Sequence, residues 1–123
     1  MPKSKQEIGQ HGEALAVNYL RQHNYTIIET NWHCSHGELD IITQLNDLWV
    51  FVEVRTRRSH STESAFASIT PSKRQKLVDS VNLYLHEHKI SASNWRIDVI
   101  AVALPHSRSA TPIIDHVEDA LDW

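Results

Sequence analysis

Four charged side chains stand inside two apolar runs of this chain. Glu38 and Asp40 lie in "GELDIIT", and Glu53 and Arg55 lie in "LWVFVEVR". Side chains of a β-strand alternate between faces with period two. That period predicts Glu38, Asp40 and Ile42 on one face of the first run, opposite Leu39 and Ile41. In the second run, Trp49, Phe51, Glu53 and Arg55 share a face, opposite Leu48, Val50, Val52 and Val54. Paired as a hairpin, the two runs bring Asp40 and Glu53 side by side. Two carboxylates ~4 Å apart repel by ~4 kcal/mol at an effective dielectric near ~20, so a shared proton, a basic neighbour or a metal ion must offset the repulsion. Mg²⁺ takes oxygen ligands and keeps several waters, so two carboxylates and a backbone carbonyl suffice to hold it. Arg55 faces the same way and can grip a phosphate through two parallel hydrogen bonds. The same pattern also fits a surface ion pair of Arg55 with Asp40 or Glu53 on a wet edge.

The elements that must position these residues can be read from pattern and caps. A chain of 123 residues, 41% apolar and 22% charged, has the size and composition of one soluble globular domain spanning 1–123. "SKQE" at Ser4–Glu7 fits a capping box, and Ile8, Leu15, Ala16, Tyr19 and Leu20 follow at helical spacing, which predicts a helix over about 5–22. Asn24 suits a left-handed stop. Residues 25–32 are rich in β-branched and aromatic side chains and predict a first strand. The two charged runs give strands over 37–43 and 48–55, with Asn46-Asp47 as the turn between them. "TRRSHSTES" predicts a loop. Thr70 caps and Pro71 opens a second helix that runs to about Lys89. "WRIDVIAVAL" (95–104) predicts a central strand, "IIDHV" (113–117) an edge strand and "EDALDW" a terminal turn. The order αβββαββ implies an α/β domain with one mixed sheet flanked by helices.

Charge and cysteine content narrow the setting. The net charge is −3, but residues 53–76 carry six basic side chains (Arg55, Arg57, Arg58, Lys73, Arg74, Lys76) against Glu53 and Glu63. That segment is +4 and leaves −7 for the remainder. A local basic patch on an acidic protein can track phosphates; a solvated loop followed by a helix start accounts for the same charges. The longest purely apolar run, Val99–Leu104, falls far short of a membrane span, and "MPKSKQEIGQHG" has no apolar signal core. The single cysteine, Cys34, cannot form an internal disulfide and suits a reducing compartment. A cytoplasmic protein with no membrane partner is expected.

"GELDII" followed by "FVEVRTR" resembles the signature of the restriction-endonuclease-like superfamily, in which an Asp and a spacer precede Glu-x-Lys. The longer stretch "GQHGEALAVNYLRQHNYTIIETNWHCSHGELDIITQLNDLWVFVEVRTR", with "ITPSKRQKL" and "WRIDVIAV" after it, is similar to the YraN family of small bacterial proteins. The resemblance covers almost the whole chain. It implies a mixed sheet with flanking helices, similar to Holliday-junction resolvases. It also implies a metal site in which Asp40 and Glu53 hold Mg²⁺ or Mn²⁺, and Glu13, on the first helix, matches the acid that approaches the metal in this fold. Glu38 matches the family's Gly-Glu-hydrophobic-Asp motif, as an outer support of the metal or a partner for Arg57. Lys73 and Lys76 match basic positions at the start of the second helix. Arg55 departs from the superfamily's lysine. Arginine supplies charge and a rigid fork but is a very poor base, which leaves water activation to the metal. Asp98, inside the fourth strand, is expected to pair with a basic side chain of the site, with direct metal contact as the alternative.

"HCSH" (His33, Cys34, His36) contains zinc-type ligands, but no second cysteine or helical His pair completes a set of four. Trp32, Trp49 and Trp95 can stack nucleic-acid bases or pack the sheet. Trp123 has no interpretable setting. The expected activity is therefore metal-dependent hydrolysis of DNA phosphodiesters, on branched or damaged substrates among others. Arg57, Arg58, Lys73 and Lys76 would hold the backbone. Two alternatives stand beside it: a nucleic-acid-binding module that keeps the fold without cleavage, and a small interaction protein with a purely structural acidic hairpin. Two-fold dimers are common among cutters of this fold, so a homodimer is compatible, but no interface is legible in the sequence.

Overall fold

The computed structural model describes residues 4–91, 94–107 and 109–120. A first helix, α1 (Lys5–Gln22), leads into three antiparallel strands, β1 (Thr26–Cys34), β2 (Gly37–Leu45) and β3 (Leu48–Arg58). A short helix α2 (Glu63–Ala67) and a longer helix α3 (Pro71–Glu87) then carry the chain across the sheet to β4 (Trp95–Leu104), which lies parallel to β3. The last strand, β5 (Ile113–Val117), closes the edge antiparallel to β4, so the strands lie in sequence order in one mixed sheet.

Both long helices start where their caps predict. Ser4 accepts from the Glu7 amide while the Glu7 carboxylate accepts from the Ser4 amide, and Thr70 accepts from the Lys73 amide ahead of Pro71. The two helices cover opposite faces of the sheet. Ala16 and Leu20 of α1 are buried against Ile41, Val50, Val52 and Ile100. Leu77, Val81, Tyr84 and Leu85 of α3 pack on Leu39, Ile42, Phe51 and Ile97. With both faces covered, β4 is buried from Ile97 to Leu104, as a central strand should be. Among the described residues no helix is long and apolar enough to cross a membrane.

Three local expectations need correction. The polar stretch after Arg55 is not all loop: β3 continues to Arg58 because its parallel pairing with β4 extends to Arg58 opposite Leu104. The loop beyond it folds into α2, which the sequence pattern did not signal. Strict alternation also fails in β2. Leu39 and Ile42 are three residues apart and should face opposite ways, yet both belong to the core under α3. The terminal turn is described only as far as Ala120, and Trp123 lies outside the described residues.

Candidate functional site

The departure from alternation opens the site. β2 and β3 pair from Leu45 opposite Leu48 as far as Ile41 opposite Val52. At the next position Asp40 turns into the seam between the strands, and its Oδ2 accepts from the backbone N–H of Val54 at 2.9 Å. A side chain thus satisfies a donor that the ladder would otherwise pair, and the strands part. The gap widens into a cleft of about 750 Å³ between the N-terminal halves of α1 and α3. Its floor is Asp40, Glu53, Val54 and Arg55; its walls carry Lys5 and Glu13 on one side and Lys73 and Lys76 on the other.

α1 can approach this seam only because residue 12 is glycine. A Cβ there would lie 1.8 Å from Thr56 Oγ1 and 2.7 Å from Thr56 Cβ. Direct backbone contact of α1 with β3 carries the next residue, Glu13, to the cleft.

Asp40 and Glu53 meet as the hairpin register requires. Glu53 is buried, and its carboxyl is pushed up to about 9. Burial is the largest cause, followed by the hydrogen bond and charge of Asp40, while Arg55 pulls the other way. The pair therefore keeps a proton at neutral pH unless another positive charge takes its place. Part of that charge comes from Arg55, whose Nη2 donates to Glu53 Oε2 at 3.1 Å. Arg55 Nε is buried and has no hydrogen-bond partner among the described residues. An orphaned donor of this kind costs roughly 1–3 kcal/mol until an acceptor reaches it.

Glu13 enters from α1. Burial and the charge of Asp40 raise its carboxyl above the ordinary range, and a hydrogen bond from Asn31 Nδ2 to its Oε1 (2.8 Å) draws it back. Among the described residues no three His, Cys, Asp or Glu side chains already stand as a metal-ligand cluster. Asp40 and Glu53 are in contact, and Glu13 faces the same space while held by Asn31. This all-oxygen donor set, with a buried proton that a cation would displace, fits a hard divalent ion.

The remaining predicted residues divide. Arg57, Arg58, Lys73 and Lys76 all border the cleft. Arg57 is steadied by the carbonyl of Thr56 (2.8 Å), Arg58 by that of Pro105 (3.1 Å) and Lys73 by that of Ser68 (3.1 Å). Glu38 borders it too, with His33 Nδ1 3.3 Å from its carboxylate. Lys5 joins the same rim, although nothing in its local sequence marked it.

Asp98 does not join the site. It sits opposite Val52 on the α1 face of the sheet, whereas Glu53 lies opposite Val99. Its carboxylate is fully buried and accepts from Arg96 Nε (2.9 Å), Arg96 Nη2 (3.2 Å), the Asp119 amide (3.0 Å) and His116 Nε2 (2.8 Å). The expected pairing with a basic side chain of the site is corrected: its partners are Arg96 and His116, which lie away from the cleft. The tryptophans pack: Trp32 meets Tyr84 edge-on with ring centres 5.1 Å apart, and Trp49 and Trp95 flank Phe51. Cys34 donates to Ser80 at 3.5 Å, beside the β1–β2 turn.

Comparison with known proteins places this geometry in a family. The family model described as "Uncharacterised protein family UPF0102" matches residues 12–102, a span that includes Glu13, Asp40, Glu53 and Arg55. A UPF0102 protein of Chloroflexus aurantiacus is 42% identical over 95% of this chain and 94% of its own length. One from Geotalea uraniireducens is 36% identical over 94% of this chain and 89% of its own length. Another, from Clostridium perfringens, is 35% identical over 98% of both.

Proposed function

The chain belongs to the uncharacterised protein family UPF0102, and we propose that it is a cytoplasmic, Mg²⁺- or Mn²⁺-dependent phosphodiesterase of nuclease type acting on DNA. The observation that carries this reading is the contact of Asp40 with buried Glu53 on the floor of a cleft rimmed by lysine and arginine. Asp40 and Glu53 would hold the cation, with Glu13 directly or through water. When bound, a divalent ion lowers the pKa of a coordinated water and so supplies a nucleophile at neutral pH.

The chain's own groups do the rest. Asp40 keeps one oxygen on the Val54 amide, which fixes its other oxygen toward the cleft. Arg55, planar and permanently charged, steadies the charge that develops on the phosphoryl oxygens, and its Nε, without a partner among the described residues, offers a donor for one of them. Lys5, Arg57, Arg58, Lys73 and Lys76 hold the flanking backbone phosphates. The test is nicking of supercoiled, junction and flap DNA with Mg²⁺ or Mn²⁺. Wild type should cleave, and Asp40→Asn and Glu53→Gln should each lower the rate at least ~100-fold. Failure of the wild type to cut any of these substrates with either ion overturns the activity.

One observation favours a second reading, a binding module without cleavage: Arg55 stands where the superfamily has lysine. Arginine cannot accept the proton of an attacking water. Arg55→Lys separates the two. Cleavage that appears only in the variant identifies the natural protein as a binder.

A further inference from the structure

Asn31 of β1 reaches across to α1 at the cleft. Its neighbours Thr30 and Trp32 pair with Ile41 and Leu39, so Asn31 itself stands opposite Asp40. Its φ is 55°, left-handed backbone in the middle of a strand. Asn adopts that region more readily than most residues because its short amide can bond locally. Around this point the pleat reverses. Trp32 and Leu39, a cross-strand pair, both turn toward α3, whereas Asn31 turns its amide to the α1 side and donates to Glu13 Oε1 at 2.8 Å. Without the reversal, neither the entry of Asp40 into the seam nor the Asn31–Glu13 bond would be available.

We infer that Asn31 is a positioning residue: it holds the Glu13 carboxylate beside Asp40 and thereby sets the cation affinity of the cleft without touching cation or substrate. The inference rests on the metal site proposed above. Partners that orient a metal ligand are commonly worth ~10–100-fold in affinity, and Asn31 stands in that relation to Glu13. The bond also ties β1 to α1 across the mouth of the cleft, so one side chain serves both the strand reversal and the third acid.

The experiment is Mn²⁺ binding to the full chain, measured by calorimetry, with thermal unfolding in metal-free buffer as a control. Asn31→Gly keeps the left-handed backbone without strain and deletes the side chain with its amide. It should unfold close to wild type and bind Mn²⁺ ~10–100-fold more weakly. Asn31→Asp keeps the size and sets a carboxylate against Glu13, and should weaken binding at least as much. If Asn31 acts through Glu13, adding Asn31→Gly to Glu13→Gln weakens binding no further. Wild-type affinity in both Asn31 variants, or losses that multiply in the double variant, would overturn the inference and leave the metal site standing. A wild-type chain that takes up no Mn²⁺ would overturn the metal site and the inference together.

Discussion

Glu53 carries a cost that only its surroundings can offset. Its carboxyl ionises near 9 in the fold against the ordinary 4.5, chiefly because it is buried and lies beside Asp40. A carboxyl whose folded pKa lies above its unfolded one favours the fold while it stays protonated. That contribution is complete below about 4.5 and is lost progressively as the pH climbs toward about 9. Thermal unfolding of the metal-free protein should therefore show a Tm that falls across this window. Glu53→Gln should flatten the fall and raise Tm by several degrees at pH 8. Mn²⁺ should recover stability in wild type at that pH and do little for the variant. An unchanged pH slope in Glu53→Gln would mean that the burial of this acid has been misjudged. Asp40, Glu53 and Arg55 were legible in the sequence because a two-residue turn fixes the register of their hairpin. Asn31 and Lys5 were not: Asn31 meets its partner 18 residues away, and Lys5 reaches the cleft only once α1 is docked on the sheet.

The docking of α1 turns on a single contact between elements. Gly12 lies so close to Thr56 that an alanine would overlap both Oγ1 and Cβ of the threonine. Thr56 is buried and its strand is paired to β4 there, opposite Val102, so the helix is the element with room to move. Gly12→Ala should cost roughly 1–3 kcal/mol, the usual penalty for overpacking, and should shift Glu13 away from Asp40. Thr56→Gly removes the three clashing atoms, Oγ1, Cβ and Cγ2, and should return part of the lost stability when combined with it. A Gly12→Ala protein with wild-type Tm and Mn²⁺ affinity would show that the contact is looser than it looks. The boundaries of α1, α3 and β4 could be read from the sequence because each carries its own signal: a capping box, Thr-Pro, a continuous apolar run. The last turn of β3 and the whole of α2 carry none. The partner strand β4 supplies the hydrogen bonds that make "TRR" a strand, and the bond from Thr62 to Asp115 on β5 anchors the start of α2.

At the scale of the molecule, the most buried ion pair and the proposed cation site occupy different places. Behind the sheet, Asp98 is saturated by Arg96, His116 and the Asp119 amide and locks β5 and the Asp119 backbone beyond it onto β4. Asp98→Ala removes the fully buried partner of Arg96 and leaves that part-buried arginine only the exposed Glu118 as counter-charge; breaking a buried pair typically costs ~3–5 kcal/mol, and the variant should spare Mn²⁺ binding measured well below the lowered Tm. In front, the cleft gathers six lysines and arginines around four acids, and at neutral pH one of those acids is held protonated. The opening is thus locally positive on a chain whose net charge is −3. Field and counter-ions respond to that local balance, not to the total. Retention of DNA should accordingly weaken steeply with salt, since each neutralised duplex phosphate contributes a slope of about 0.9 in the logarithm of affinity against that of salt. Lys73→Gln with Lys76→Gln should make the slope shallower by about 2 and weaken binding uniformly across sequences. Asp98→Ala should leave the slope unchanged. A slope unaltered by the lysine pair would move the nucleic-acid path away from α3, to the wall formed by Lys5, Arg57 and Arg58.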